Sequence, residues 1–247
     1  MTDAISTDSV RIPGADDDEI EAYWAHPSDT TATRGAIVVI HHLPGYDRWT
    51  KEVARRFATD GYDVLVPNLY WRESPGADPD DAAAIARANG GVPDERVVGD
   101  VRGAVSWLRA RSSANGKVGV IGHCSGGRHA VLIGCHLDVQ AVVDCYGAFV
   151  TGVRPETFPL RVTNLVPILH QLTAPVLGMF GADDQYPSPE HVAEFAEILT
   201  AQGTVHEFHS YAGAGHAFFC ADRPAYRPEA AVDGYQKIAG FWHRYLD

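Results

Sequence analysis

The feature that most constrains the fold of this chain is a short apolar run that ends in a cysteine between two glycines. The run is Val118-Gly-Val-Ile-Gly-His-Cys-Ser-Gly-Gly127, and Cys124 has a glycine two residues before it and two residues after it. This pattern predicts a strand, a very tight turn and the start of a helix, because such a turn leaves no room for side chains at the flanking positions. The turn would raise the thiol above the sheet, beside a helix N-terminus whose partial positive charge favours the thiolate. Cys124 is therefore the candidate nucleophile.

The other sulfur and hydroxyl groups fit this position less well. Cys135, Cys145 and Cys220 lack the pair of glycines, and we expect them to be buried core residues, as most cysteines are. Ser125 as the nucleophile would require glycine at position 123, where the sequence has His123.

A carboxylate follows the candidate nucleophile at the end of a later strand. The apolar run Ala174–Phe180 is typical of a buried strand and leads into the loop Gly181-Ala-Asp-Asp-Gln-Tyr-Pro187. This loop carries Asp183 and Asp184. We expect Asp183 to be the catalytic acid, because it comes directly after the Gly-Ala pair that ends the strand.

A histidine then follows, in the chain order that this kind of nucleophile requires. The predicted strand Val205–Tyr211 leads into a glycine-rich loop that contains His216. A histidine in this place can accept the thiol proton, while an aspartate fixes its tautomer and supports the imidazolium. The predicted triad is Cys124, Asp183 and His216.

The order of elements predicts an α/β fold with one domain over residues 1–247, in which residues 1–8 form a loose N-terminal tail. Apolar strands alternate with helices, which is typical of a mostly parallel sheet with helices on both faces. We expect Asp94 to cap a helix and the acidic run 16–19 to be a turn between two N-terminal strands. Further strands are predicted at 36–40, 64–66 and 141–145. Helices are predicted at 49–59, 79–88, 190–201 and 230–245. Two more helices are predicted, one that begins at residue 94 and one that follows Cys124 and ends at about residue 137.

Composition limits the classes of partner. The formal net charge of −12 argues against nucleic acid and an anionic membrane surface. The sequence contains neither a signal-peptide pattern nor a membrane-spanning apolar run, and four cysteines do not make a disulfide framework, so we expect a cytoplasmic protein. We expect no metal site, since the adjacent His41 and His42 point in opposite directions and the pair His206 and His209 is equally unsuited.

These motifs resemble the dienelactone hydrolase family of α/β-hydrolases over roughly residues 34–246. The runs Gly122–Gly127 and Gly213–Phe218 are the specific ones, and Asn115–Gly119, Pro67–Tyr70 and Gly181–Asp183 with Pro187 support them. The resemblance implies an α/β-hydrolase fold without a large cap domain and a hydrolase that needs no cofactor. It also implies that esters or lactones are opened through a thioester-linked acyl-enzyme.

The same resemblance, together with the fold, predicts the oxyanion hole. Two backbone amides would form it, that of Ser125 after the nucleophile and that of Leu43 in the loop after the first central strand. Pro44 has no amide hydrogen and cannot donate.

Two positions differ from the prototype of the family. His42 stands where the prototype has a glutamate that can engage the nucleophile, so His42 is a candidate for tuning the thiol. Cys220 stands where the prototype has a substrate-binding arginine, and Arg223 lies nearby. The segment 151–172 is longer than in compact members, so we expect a reshaped pocket rim. Other candidates for the pocket or for tuning the thiol are the aromatic residues and one histidine nearby, namely Tyr46, Trp49, Tyr70, Trp71, Phe218 and His123.

The expected function is hydrolysis of a small ester or lactone by a monomer or small homo-oligomer. A hydrolase or acyl transferase for other small esters or thioesters is the first alternative, because a triad specifies acyl transfer but not the leaving group. A non-catalytic binding protein and a redox-sensing thiol are the further alternatives.

Overall fold

A computed structural model describes residues 4–29, 34–111 and 114–247 of the chain, and in these ranges eight strands form one sheet flanked by six α-helices. The strands are β1 (Ile5–Pro13), β2 (Glu19–Pro27), β3 (Arg34–Ile40), β4 (Asp63–Pro67), β5 (Ala114–His123), β6 (Ala141–Cys145), β7 (Val176–Gly181) and β8 (His206–Tyr211). The helices are α1 (Arg48–Thr59), α2 (Pro79–Ala88), α3 (Asp94–Arg109), α4 (Ser125–His136), α5 (Pro189–Gln202) and α6 (Pro228–Leu246).

The sheet is mostly parallel, with the strand order β1-β2-β4-β3-β5-β6-β7-β8. The pairs β1–β2 and β2–β4 are antiparallel, and every pair from β4 to β8 is parallel. After β3 the chain passes to β4 on one side and then returns to β5 on the other. The loops after β3 and β5 therefore diverge at the carboxyl ends of these strands, which is where open α/β sheets bind ligands.

Both faces of the central strands are buried, which explains their apolar sequences. Along β3, Ala36, Val38 and Ile40 pack into one core, whereas Ile37 and Val39 pack into the other. Side chains of α2, α3, α4 and α5 belong to the first core, and those of α1 and α6 belong to the second. The predicted α/β fold with helices on both faces is confirmed.

The segment between β6 and β7 does not form a large cap. It runs as a loop into the short 3₁₀-helix Val166–Gln171, which packs against α4 and α5. Within the described ranges, no helix has the length and apolar character needed to cross a membrane.

Two local predictions are wrong. Residues 1–8 were expected to be a loose tail, but Ile5–Pro13 forms β1, because its backbone pairs with β2 along its whole length; residues 1–3 lie outside the described part. Asp94 does not cap α3, whose N-cap residue is Pro93. The Asp94 carboxylate instead accepts two hydrogen bonds, of 2.8 and 2.7 Å, from Arg128, a guanidinium that is 1% exposed and requires a counter-charge.

The acidic run forms the predicted turn between the first two strands. A short 3₁₀ turn, Ala15–Asp17, connects β1 and β2. Asp18 is bound to Arg72, which also pairs with the fully buried Asp100. The turn is thus tied to α3 by an ion-pair network.

Candidate active site

Cys124 lies at the apex of a tight turn between β5 and α4, as the glycine pattern predicts. Its backbone has a φ of 56° and a ψ of −124°, a conformation that a non-glycine residue seldom adopts. A Cβ atom at Gly122 would lie 1.9 Å from the carbonyl oxygen of Gly126. A Cβ atom at Gly126 would lie 2.2 Å from the carbonyl oxygen of Ile40. Both glycines are therefore required by direct contact between backbone segments.

His216 reaches this turn from the loop after β8 and is held there by a carboxylate. Its Nδ1 atom lies 2.8 Å from Oδ2 of Asp184. The Asp184 side chain is only 3% exposed and its other oxygen accepts the backbone N–H of Tyr186 at 2.9 Å. Asp184 is therefore fixed in position, and Nε2 of His216 is left for the thiol.

The prediction that Asp183 is the partner of His216 is wrong. Asp183 is exposed, and its backbone N–H donates to the carbonyl oxygen of Ala214 at 2.9 Å. Gly181 makes this close approach of the two loops feasible, since a Cβ atom there would lie 2.4 Å from the same oxygen. With the backbone anchored in this way, successive side chains face opposite sides, and that of Asp184 turns inward.

The pKa of His216 is consistent with a base that accepts a proton from the neighbouring thiol. Burial by itself lowers the pKa of His216, but the hydrogen bond to Asp184 and the interaction with Cys124 outweigh it and raise the pKa to about 10. The hydrogen bond to Asp184 and the interaction with Cys124 thus both favour a proton on His216.

The two residues whose amides are expected to form the oxyanion hole, Leu43 and Ser125, line one cavity together with Cys124. Ser125 is the first residue of α4, so its N–H has no acceptor within the helix. Leu43 lines the same cavity as Ser125 and Cys124. The hydroxyl of Tyr70 donates to the carbonyl oxygen of Leu43 at 3.0 Å, which fixes the plane of the next peptide.

His41 holds the start of this loop. Its Nδ1 atom lies 2.9 Å from the carbonyl oxygen of His42, and its Nε2 atom accepts the N–H of Leu69 at 3.2 Å. Burial lowers the pKa of His41 to about 4, so the ring is neutral and both nitrogens are used inside the protein.

Cys124 lies where two cavities of different chemistry meet. The first, which we call the apolar cavity, is lined mostly by apolar side chains, with Arg128 and His129 among them: Leu43, Leu69, Tyr70, Val92, Ala148, Phe149, Phe158, Leu160 and Val162. The second, which we call the charged groove, contains both basic and acidic side chains: His42, Asp80, Arg87, His216 and Arg223, together with Pro44, Ala217, Pro224 and Ala225. A bound molecule can therefore place an apolar part and a polar part on opposite sides of the thiol.

The sequence profile of one protein family matches most of the chain. The profile is that of the dienelactone hydrolase family, and it matches residues 20–246. The chain belongs to the dienelactone hydrolase family.

Relatives and solved structures agree with this assignment. A Salmonella typhimurium protein named "Putative carboxymethylenebutenolidase" is 32% identical over 98% of this chain and 88% of that protein. A Bradyrhizobium protein named "Probable 2-oxo-3-(5-oxofuran-2-ylidene)propanoate lactonase" is 30% identical over 98% of this chain and 96% of that protein. The crystal structure of a "Putative Dienelactone Hydrolase" from Klebsiella pneumoniae superposes with a TM-score of 0.86 at 28% identity, covering 98% of this chain and all of the other.

The two departures from the family prototype have different consequences in the structure. Cys220 is 2% exposed and packs in the core beneath α6, so it lines neither cavity. Arg223, three residues later, does line the charged groove together with His216. A guanidinium thus lines the same groove as Cys124, although at a different position in the sequence.

His42 forms a second histidine–aspartate pair beside Cys124. Its Nε2 atom lies 2.6 Å from Oδ2 of Asp47, while Oδ1 of Asp47 accepts the N–H of Thr50 and caps α1. Burial alone raises the pKa of Asp47, but the hydrogen bonds from His42 and from the N–H of Thr50 lower it to about 2. Asp47 is therefore a carboxylate at neutral pH.

Most of the aromatic candidates are core residues rather than pocket residues. Tyr70 lines the apolar cavity, as predicted, but Tyr46, Trp49, Trp71, Phe218 and His123 line neither the apolar cavity nor the charged groove. Trp49 contacts His42 and His123, and Phe218 stacks on Phe219 with no exposed surface. Burial lowers the pKa of His123 to about 3, so its ring is neutral.

Sequence reasoning missed several residues that line the site. Asp80 and Arg87 come from α2 and reach the charged groove, and nothing in their local pattern distinguishes them from an exposed helix face. Phe149, Phe158 and Leu160 come from the loop after β6 and line the apolar cavity. The sequence signal for these residues was the unusual length of this loop, which predicted a reshaped rim of the pocket.

Proposed function

We propose that this protein is a cysteine-dependent hydrolase of small esters and lactones that works through a thioester acyl-enzyme. The observation that carries the proposal is the relation of three side chains. Cys124 is held at a strained turn, and His216 lies beside it with its far nitrogen bound to the buried Asp184. Nucleophile, base and orienting acid are the parts that covalent acyl transfer requires.

The acylation half-reaction follows from this arrangement. The thiol proton passes to His216, and the Cys124 sulfur attacks the carbonyl carbon of the substrate. The oxygen that becomes negative is bound by the backbone amides of Leu43 and Ser125. When the carbon–oxygen bond to the leaving group breaks, the proton on His216 passes to the leaving oxygen, and a thioester remains on Cys124.

The deacylation half-reaction regenerates the thiol. Water attacks the thioester carbonyl and gives its proton to a nearby base, and the carbon–sulfur bond breaks with its electron pair on sulfur. The products are the carboxylic acid and the free enzyme. Asp184 keeps the same nitrogen of His216 protonated throughout, so the other nitrogen always faces the reacting groups.

The contrast between the two cavities supports the substrate class. An apolar portion of a small ester or lactone fits the apolar cavity, and a polar or anionic portion fits the charged groove with Arg87 and Arg223. The two relatives named above are described as a carboxymethylenebutenolidase and a lactonase, which favours lactones among the substrates.

We further propose that the enzyme acts on a free small molecule in the cytoplasm. Cys124, Cys135, Cys145 and Cys220 are all free thiols. A nucleophilic thiol persists most readily in a reducing compartment, which supports this location.

The test is a comparison of the wild-type enzyme with Cys124→Ala on dienelactones, simple lactones, aryl esters and thioesters. We expect hydrolysis of at least one lactone or ester, loss of that activity in the variant, and an acyl group on Cys124 after rapid acid quenching and peptide mass spectrometry. Thioesters as the preferred substrates would favour the alternative acyl-transfer function. Activity retained in Cys124→Ala, or an acyl group on another residue, would refute the proposal.

A further inference from the structure

The His42–Asp47 pair has the same construction as the pair formed by His216 and Asp184. Each histidine has one ring nitrogen bound to a carboxylate, at 2.6 Å in the first pair and 2.8 Å in the second. A carboxylate can only accept, so the bound nitrogen carries the hydrogen and the neutral ring offers a lone pair at the other nitrogen. In His42 that other nitrogen is Nδ1, which has no hydrogen-bond partner among the residues that the structure describes.

The first pair is also rigid. Asp47 is fixed by its second hydrogen bond, as the N-cap of α1. The His42 ring is 5% exposed and contacts the ring of Trp49, with 5.2 Å between the centroids. A base that is held in one orientation by packing and by a carboxylate is preorganised for proton transfer.

Both histidines face the same reaction space. His42 and His216 line the charged groove, and Cys124 opens into it. The thiol thus lies in a groove that holds two oriented histidine bases on different loops, one after β3 and one after β8.

Hydrolysis of a lactone creates a need for a second base. When the ring of a lactone opens, the leaving hydroxyl stays attached to the acyl group. It therefore remains beside His216, which donated its proton. It competes there with the incoming water and can close the ring again. With an acyclic ester the alcohol diffuses away and leaves His216 free for water.

We propose that His42, oriented by Asp47, is the general base that accepts a proton from water during hydrolysis of a lactone-derived thioester. This inference rests on the proposed function. The water oxygen bonds to the thioester carbon, its proton passes to Nδ1 of His42, and the carbon–sulfur bond breaks to leave the Cys124 thiolate. His42 then releases the proton through the charged groove to solvent or to His216.

The experiment compares a lactone with an acyclic aryl ester in the wild-type enzyme, His42→Gln and Asp47→Asn. Asparagine preserves the oxygen that caps α1, but it presents an N–H to His42, which reverses the tautomer and removes the lone pair at Nδ1. Asp47→Asn therefore tests the base even where His42→Gln is poorly folded. His209→Gln is the matched control, since Nε2 of His209 lies 2.8 Å from Oε1 of Glu207 in β8, away from both cavities.

We expect lactone turnover to fall on the order of a hundredfold in His42→Gln and Asp47→Asn, with acylated Cys124 accumulating at steady state. Aryl-ester turnover should fall by a much smaller factor than lactone turnover, because His216 is free to act there. An equal loss on both substrates, or unchanged lactone turnover, would overturn the role of His42. Absence of a Cys124 thioester in the wild-type enzyme with either substrate would instead overturn the proposed function, and this inference with it.

Discussion

The Nδ1 atom of His216 lies 2.8 Å from Oδ2 of the buried Asp184, while the side chain of the preceding Asp183 is exposed. We expect Asp184→Asn to lower kcat/KM by up to ~10⁴, because asparagine leaves His216 in the wrong tautomer. Asp183→Asn is the matched control and should change kcat/KM less than about twofold, as surface substitutions usually do. Steady-state kinetics measure kcat/KM of the two variants. A larger loss in Asp183→Asn than in Asp184→Asn would identify Asp183 as the catalytic acid.

The four thiols differ strongly in their environment. Burial raises the pKa of Cys135 to about 12, raises that of Cys145 well above its usual range, and also raises that of Cys220. Cys124 lies at the opening of both cavities beside His216. Iodoacetamide should therefore modify Cys124 first, as measured by peptide mass spectrometry over time, and Cys124→Ala should lose several orders of magnitude in turnover. Faster labelling of one of the other three thiols would contradict the assignment.

Arg223 provides a positive charge in the charged groove, which Cys124 also lines. Arg223→Ala should lower kcat/KM roughly tenfold for a lactone that carries a carboxylate, since one charge-assisted hydrogen bond is lost. A neutral ester of similar size should be affected much less. Parallel kinetics on the two substrates give the answer, and an equal effect on both would mean that Arg223 does not bind the carboxylate.

Tyr70 couples the apolar cavity to the oxyanion loop through its hydrogen bond to the carbonyl oxygen of Leu43. Tyr70→Phe keeps the ring but releases the loop, so kcat should fall by roughly three- to tenfold with little change in KM. Tyr62→Phe serves as the control. It removes a comparable hydrogen bond, which the Tyr62 hydroxyl donates to Asp247, the last residue of the sequence. A similar kcat in both variants would show that the Tyr70 hydroxyl does not position the loop that contains Leu43.

Asp144 is a fully buried carboxyl at the end of β6 whose Oδ2 atom has no partner among the described residues. Burial raises its pKa from 3.8 to about 7, which outweighs the hydrogen bond from the N–H of Gly147. The folded protein thus binds this proton more tightly than the unfolded chain does. The resulting stabilisation is complete below the unfolded pKa and is lost as the pH rises through about 7.

Asp144→Asn should therefore raise the free energy of unfolding at about pH 8, by roughly 1–4 kcal/mol, and change it less at about pH 5. Urea denaturation at the two pH values measures the difference. Asp138→Asn, at a side chain that is 91% exposed, is the control. An unchanged pH dependence of stability in Asp144→Asn would show that the buried carboxyl is not the titrating group.

The sequence by itself determined the elements and the tight turn that carries Cys124. The glycines around Cys124 are required by contacts between neighbouring backbone segments, and such a requirement is written in the local sequence. The apolar runs of β3 to β7 likewise reflect burial on both faces of a parallel sheet. The chain order of nucleophile, acid-bearing loop and histidine follows from the order of the strands, so these features could be predicted without coordinates.

Only the tertiary structure decided which neighbouring groups meet. Asp183 and Asp184 are equivalent by composition and spacing, and the hydrogen bond that anchors their loop to Ala214 turns Asp184 toward His216. The pairing of His42 with Asp47 depends on the angle at which the loop after β3 enters α1. Arg87 and Arg223 reach one groove from different elements. Local sequence specifies backbone conformation and burial, whereas the direction of a side chain in a loop is determined by packing between segments far apart in the chain.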